Sequence, residues 1–372
     1  MNKIAAILDE IHHPPKVSPT CLDLFSGAGG LSVGFAIAGG TPIGAVDFDA
    51  DSIETYKSIF PCAKDVACTD ISKWKPKSRR GDVDVIIGGP PCQGFSLARG
   101  LRFVDDPRNH LYKHFVDIVK YYNPKWFVLE NVEGITNIGE GIILRQILED
   151  FASIGYLVDY KVVNMAEFGV PQLRKRAILV GNRSGIPFHW PEAFCYDPRK
   201  KTSPSESKAH AYSSVNDALG DIVLPQGNFF AHRANSQMRG PRNRNAHTEP
   251  AFTLRVRGDE FALCEEPAES AFIPGPVPAE DILFRAPQNE LQELLRNCHP
   301  TWLASRKKTI SRQKSVSLKG TRRLTIREQA RLQTFPDWIS FYGRTTSQAR
   351  QIGNAVPPLF ALQLFRRIFS YL

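Results

Sequence analysis

No uninterrupted apolar stretch among the 372 residues approaches the roughly 20 that a membrane-spanning helix requires. The opening segment MNKIAAILDEIHHPPK carries acids and histidines where a secretory leader would keep an apolar stretch, so the expected location is the cytosol, with no membrane partner. Cysteine is sparse and poorly placed for cross-linking: there are seven, at 21, 62, 68, 92, 195, 264 and 298, with no CxxC pair among them. An odd count in a chain of this length argues against a disulfide framework, and the spacing argues against structural zinc, so no metal is expected. Internal repeats and low-complexity tracts are absent. So is a GxGxxG fingerprint, which speaks against a bound dinucleotide and a nicotinamide dehydrogenase.

What is present is an excess of positive charge, 47 Lys+Arg against 38 Asp+Glu, for a net +9. This favours a polyanionic partner. The charge is also segregated. Residues 301–323 contain no acid, whereas 258–290 contain a single base, Arg285.

The first half alternates short apolar runs with segments of helical periodicity. TCLDLF, PIGAVDFD, DVDVIIGG, KWFVLENV and RAILVGN read as strands. LSVGFAIAGG, ADSIETYKSIF, HLYKHFVDIVKYY and ILRQILEDFASIGY read as helices. Strands apolar throughout and separated by helices predict an α/β domain with a doubly wound, mostly parallel sheet covered on both faces. After about Asn182 the pattern dissolves into loops and short strands, with NELQELLRNC as the strong periodic segment there. Thr325 followed by Glu328 has the form of a helix capping box, and a last helix follows the double proline in PPLFALQLFRRIFSYL.

Three places carry chemistry. Gly27 and Gly29 follow the first strand, and Asp47 stands 18 residues beyond Gly29. A glycine turn and an acid so placed suit a nucleoside-bearing cofactor, and the spacing favours a smaller adenosine ligand such as S-adenosylmethionine. Cys92 lies just past the strand DVIIGG on a loop with Gly88, Gly89, Pro90 and Pro91, where the prolines hold its side chain with little entropy left to lose. Glu130 ends another strand and is a candidate proton donor on the same rim. The blander alternatives are a tight turn, a buried structural thiol and a helix cap.

Together these residues resemble the cytosine-5 DNA methyltransferases over nearly all of the chain, apart from the N-terminal arm and a variable middle. DLFSGAGGLSVGF, GGPPCQGFS, ENVEG, QLRKR, RRLTIREQARLQTFPD and QIGNAVPP resemble that family's motifs in the family's order. The resemblance implies a Rossmann-like catalytic domain, 18–190 plus 343–372, a smaller irregular target recognition domain, 191–342, and an arm, 1–17. It implies methyl transfer from S-adenosylmethionine, leaving S-adenosylhomocysteine, to carbon 5 of a flipped-out cytosine in duplex DNA. Cys92 would add to carbon 6, Glu130 would engage ring nitrogen 3, and Arg174 and Arg176 would hold the flipped nucleotide and the active-site loop.

By the same resemblance Phe25, Gly27, Gly29, Asp47, Pro90 and Asn354 surround the cofactor. Asp70 is the better match for the adenine contact, with Asp65 an open alternative. Gln93 and Ser96 are expected at the DNA, as are Arg239, Arg242 and Arg244. The family's RNA-modifying relatives carry a Cys-Phe-Thr tripeptide in the middle region, and its absence here argues for DNA. A DNA-binding protein with a vestigial fold is opposed by the intact Cys92 and Glu130. The implied role is that of a bacterial or phage modification enzyme acting as a monomer and paired with a separate restriction endonuclease.

Overall fold

The computed structural model describes residues 18–91, 111–137, 141–198, 210–219, 229–232, 242–254, 261–264, 317–318 and 321–372. Cys92, Gln93, Ser96, Arg239, the arm 1–17 and the segment NELQELLRNC lie outside these. The chain divides into two compact units, one of residues 1–163, 175–191 and 361–372, the other of 164–174 and 192–360.

The first unit is built on a sheet of seven strands: β1 (Thr20–Leu24), β2 (Thr41–Asp47), β3 (Asp65–Cys68), β4 (Val85–Gly88), β5 (Trp126–Val132), β6 (Leu157–Asn164) and, after the short β7 (Gln172–Leu173), β8 (Lys175–Asn182). Their order is β3-β2-β1-β4-β5-β8-β6. The pairs from β3 to β5 are parallel, and β8 runs antiparallel to β5. The expected doubly wound, mostly parallel α/β sheet is therefore present. Strand order reverses between β1 and β4, which opens a crevice at their carboxyl ends where such sheets bind ligands.

Burial explains the order. β1 and β4 are central and almost wholly buried, so a continuous apolar run suits them. On one face Leu22, Leu24, Phe115, Phe127 and Phe151 share a core, with the rings of Phe127 and Phe151 stacked 4.1 Å apart. Each such ring contributes about 1.5–3 kcal/mol by leaving water. Phe35 of the helix Gly30–Ile37 meets Phe365 and Phe369 edge-on, each at 5.0 Å. Here the last helix, Pro358–Phe369, approaches so closely that a Cβ on Gly34 would lie 2.3 Å from that of Ala361. Only glycine permits that crossing.

The structure adds β3 and β6, which the periodicity does not reveal. Both are edge strands, and their mixed exposure leaves no clean apolar run to read. The antiparallel β8 was equally illegible as to direction, because a doubly buried strand has the same composition either way.

In the second unit β9 (Cys195–Tyr196) pairs with β10 (His210–Ala211), and β13 (Ala251–Phe252) with β7, both in parallel. Phe229–His232 (β11), Arg242–Asn245 (β12), Phe261–Cys264 (β14), Ser317–Leu318 (β15) and Thr321–Arg323 (β16) form a five-stranded antiparallel sheet in the order β12-β11-β14-β16-β15. The capping box forms as expected. The Thr325 hydroxyl accepts from the Glu328 amide at 3.2 Å, and the Glu328 carboxylate accepts from the Thr325 amide at 2.8 Å. No helix among the described residues is long and apolar enough to cross a membrane.

Candidate active site

The chain leaves β1 through a turn with three positive φ angles, Phe25 at 57°, Gly27 at 51° and Gly29 at 81°. Phe25 is the unusual one, since a bulky residue enters this region only when its surroundings hold it there. Asp47, the last residue of β2, supplies part of that hold. Its Oδ2 accepts from the Gly27 amide at 2.8 Å and its Oδ1 from the Asp49 amide at 2.9 Å. Burial raises the Asp47 pKa, while these amides pull it down. Asp49 in turn caps the helix Ala50–Ile59 through the Ser52 amide at 2.9 Å.

The turn is open on one side and closed on the other. A Cβ on Gly27 would meet nothing within 4 Å, whereas one on Gly29 would press into the Tyr56 ring at 2.9 Å. Phe48, next to Asp47, is 76% exposed, the most exposed large apolar side chain described. Sequence reasoning passed over it, although an aromatic flanked by two acids at a strand end was a usable signal. The open turn, a carboxylate at the strand end and a bare aromatic face suit an adenosine ligand. At the next strand end Asp70 is exposed, with its Oδ1 held by the Ser72 amide and hydroxyl. Asp65 instead is buried in β3, with its Oδ2 accepting from the amides of Lys77 and Ser78.

Beneath the turn lies a buried polar chain. The Ser32 hydroxyl donates to Oδ2 of Asp23 at 2.6 Å and lies 2.9 Å from the Tyr56 hydroxyl. Desolvation pushes the Asp23 carboxyl up to about 8.

β4 and β5 bring the second group together. Glu130 points its Oε1 at Nε of Arg176, 2.8 Å away, and a Cβ on Gly89 would lie 3.0 Å from its Oε2. A side chain at 89 would therefore crowd the carboxylate. Asn131, which the motif reading gave no task, donates from Nδ2 to the Pro90 carbonyl at 3.1 Å, and its Oδ1 accepts from the Val132 amide at 2.8 Å. It pins the loop two residues before Cys92.

The second unit holds Arg174 and Asn354. Arg174 is wholly buried and donates to the carbonyls of Leu254 at 3.3 Å and Asn354 at 3.4 Å. Asn354 is the last residue of the helix Thr345–Asn354. Before Arg174, Gln172 joins the Gln333 side chain at 2.7 Å and the Leu254 amide at 2.8 Å. Arg242 opens β12. Arg244 ends up over the Phe252 ring at 4.4 Å and 3.8 Å from Glu249.

A family model for the C-5 cytosine-specific DNA methylase matches residues 20–370. The chain is 35% identical to the Type II methyltransferase M1.HphI of Haemophilus parahaemolyticus, over 93% of this chain and 85% of that protein. It is 33% identical to the Type II methyltransferase M.BsuRI of Bacillus subtilis, over 91% and 77% respectively. Among solved structures, a prophage-encoded Escherichia coli protein described as a candidate DNA modification methyltransferase superposes with a TM-score of 0.55 at 26% identity. That likeness covers 95% of this chain and 99% of the other.

Proposed function

Because this chain belongs to the C-5 cytosine-specific DNA methylase family and methylates carbon 5 of cytosine in DNA with S-adenosylmethionine as donor, we propose that it does so through Cys92 and Glu130. The observation that supports this reading is the placement of the Glu130 carboxylate. It stands against Gly89 and is fixed by Arg176, just past the strand that leads into Cys92.

Carbon 5 of cytosine is not nucleophilic while the ring is aromatic. Addition of the Cys92 thiolate to carbon 6, with Glu130 engaging ring nitrogen 3, turns carbon 5 into an enamine-like carbon. S-Adenosylmethionine supplies the methyl group, which leaves S-adenosylhomocysteine. Loss of the carbon 5 proton then expels Cys92 and restores the ring. A paired base cannot offer its ring face to a thiol, so the cytosine is rotated out of the helix. Arg176 orients Glu130, and Arg174, locked to two carbonyls, braces the segment that leads into Arg176.

Phe25, Gly27, Gly29 and Pro90 line the cofactor's methionine and adenosine portions, and Asn354 belongs to the same set by its motif. The remaining acceptor capacity of Asp47 takes ribose hydroxyls, Phe48 offers its face to the adenine and Asp70 accepts from the adenine amine. Asp65, already engaged by the backbone, is the weaker alternative. Residues 191–342 read the target sequence, with Gln93, Ser96, Arg239, Arg242 and Arg244 at the DNA. Cellular service is as the modification half of a restriction-modification system in the cytoplasm, by a monomer with no metal. Bisulfite sequencing of DNA from cells expressing the chain tests the reaction and reports the target sequence. Methylation confined to an exocyclic amine or to adenine overturns the reading.

A further inference from the structure

We propose that the segment Lys73–Arg79, between β3 and β4, is a second contact surface for the phosphates of duplex DNA, away from the catalytic rim. The proposal rests on DNA being the substrate. Along ISKWKPKSRRG, exposure alternates: Lys73, Lys75, Lys77 and Arg79 face solvent, while Trp74 is buried and Pro76 and Ser78 are half-buried. The stretch is not a strand, since the amides of Lys73 and Trp74 close a turn on the carbonyls of Asp70 and Ile71, but the alternation of exposure sets the four cations on the solvent side.

The backbone of this segment is fixed at three points. At its head the Asp70 carboxylate accepts from the Ser72 amide and hydroxyl at 2.8 and 2.7 Å. In the middle Asp65 accepts from the amides of Lys77 and Ser78 at 2.9 and 3.2 Å, and the Ser78 hydroxyl lies 2.8 Å from that of Tyr122. At the tail the Arg79 amide donates to Asp82 at 2.9 Å. Each of the three acids thus holds a backbone amide of this segment or its flank. Among the described residues no ion pair engages Lys75, Lys77 or Arg79. Arg80 differs: it donates to the Tyr121 carbonyl and covers that ring at 5.1 Å, so it closes the helix Leu111–Tyr122.

A set of like charges on a fixed backbone repels itself in the free protein and loses little entropy when a polyanion binds. Asp65 opens β3 and Tyr122 ends its helix, so the tail of the segment lies toward the amino ends of the strands. Gly27, Gly89 and Glu130 stand at the carboxyl ends. Only DNA extending beyond the target site reaches both, and such contacts add salt-sensitive affinity without sequence preference.

The test is the triple variant Lys75→Gln, Lys77→Gln, Arg79→Gln, which leaves out Lys73 because its charge acts on Asp70. On a duplex several helical turns longer than the target site, the slope of log affinity against log salt falls by about 0.9 for each phosphate no longer neutralised, about 2.7 in all. Affinity at physiological salt drops about tenfold or more. On a duplex trimmed to the target site, kcat and KM match those of the parent protein. An unchanged slope with normal methylation overturns the cationic surface and leaves the reaction standing. An equal loss on both duplexes also overturns it. Absence of cytosine methylation by the unaltered protein overturns the reaction itself.

Discussion

Nε of Arg176 stands 2.8 Å from Oε1 of Glu130, and the two side chains are only 15% and 12% exposed. Arg176 lies on β8 beside Val132, diagonal to Glu130 across an antiparallel pair. The carboxylate is therefore aimed by a strand running against its own. Glu130→Gln is expected to lower kcat by about 10²–10⁴-fold, the range of a positioned acid or base. Arg176→Lys keeps the charge but not the planar fork, and so recovers part of what Arg176→Ala loses. The double variant Glu130→Gln, Arg176→Ala is no slower than the worse single one, because both changes remove one device. Single-turnover rates on a target duplex check all four.

Cys92→Ser is expected to abolish methylation while the melting temperature stays that of the parent. A serine hydroxyl at neutral pH is a far weaker nucleophile than a thiolate. The parent protein traps a duplex carrying 5-fluorocytosine as a covalent adduct visible on a denaturing gel, since fluorine blocks the closing elimination. The variant traps none.

Asn131 holds the loop that carries Cys92 through the Pro90 carbonyl. Removing one net hydrogen bond of about 1 kcal/mol corresponds to about a fivefold loss of the docked loop. Asn131→Ala should slow adduct formation by about that factor and leave the KM for S-adenosylmethionine unchanged. A parallel rise in that KM would place Asn131 at the cofactor instead.

Asp47→Ala removes the acceptor of the Gly27 amide as well as the proposed ribose partner. Hydrogen bonds to charged groups are worth about 1.5–3 kcal/mol, so the Kd for S-adenosylhomocysteine should rise about 10-fold to 100-fold. Phe48→Ala weakens it less and leaves stability untouched, since that ring is exposed. Calorimetric titration separates the two.

Asp23 makes stability pH-dependent. Desolvation pushes its carboxyl up to about 8 in the folded protein, against an opposing hydrogen bond from Ser32 and with a further push from Asp47. The unfolded chain releases that proton near pH 4. Between the two values the folded state holds a proton that the unfolded state has lost, so stability falls as pH rises through this window and levels off above it. Asp23→Asn should remove the fall, as urea midpoints on either side of the window will show.

The turn after β1 was largely legible, because Gly27, Gly29 and Asp47 announce themselves by type and spacing on consecutive strand ends. Glu130 was legible for the same reason. Its partner was not: QLRKR presents Arg174 and Arg176 as equivalents, yet folding buries one against two carbonyls and sets the other on Glu130. The pair Asp65 and Asp70 likewise differ in their burial, which depends on a loop twelve residues downstream closing over Asp65. Asn131 was named at a strand end but given no task, since its partner, the Pro90 carbonyl, is backbone and leaves no mark in composition.

The order of the main elements, the glycine turn and the placing of Cys92 just past a buried strand were determined by the sequence alone, since local periodicity and residue type encode them. Strand direction in β8, the edge strands, the aim of Glu130 and the anchoring of its neighbouring loop were decided by tertiary structure. Those depend on hydrogen bonds and packing between residues far apart in the chain, and such contacts exist only once the sheet has assembled.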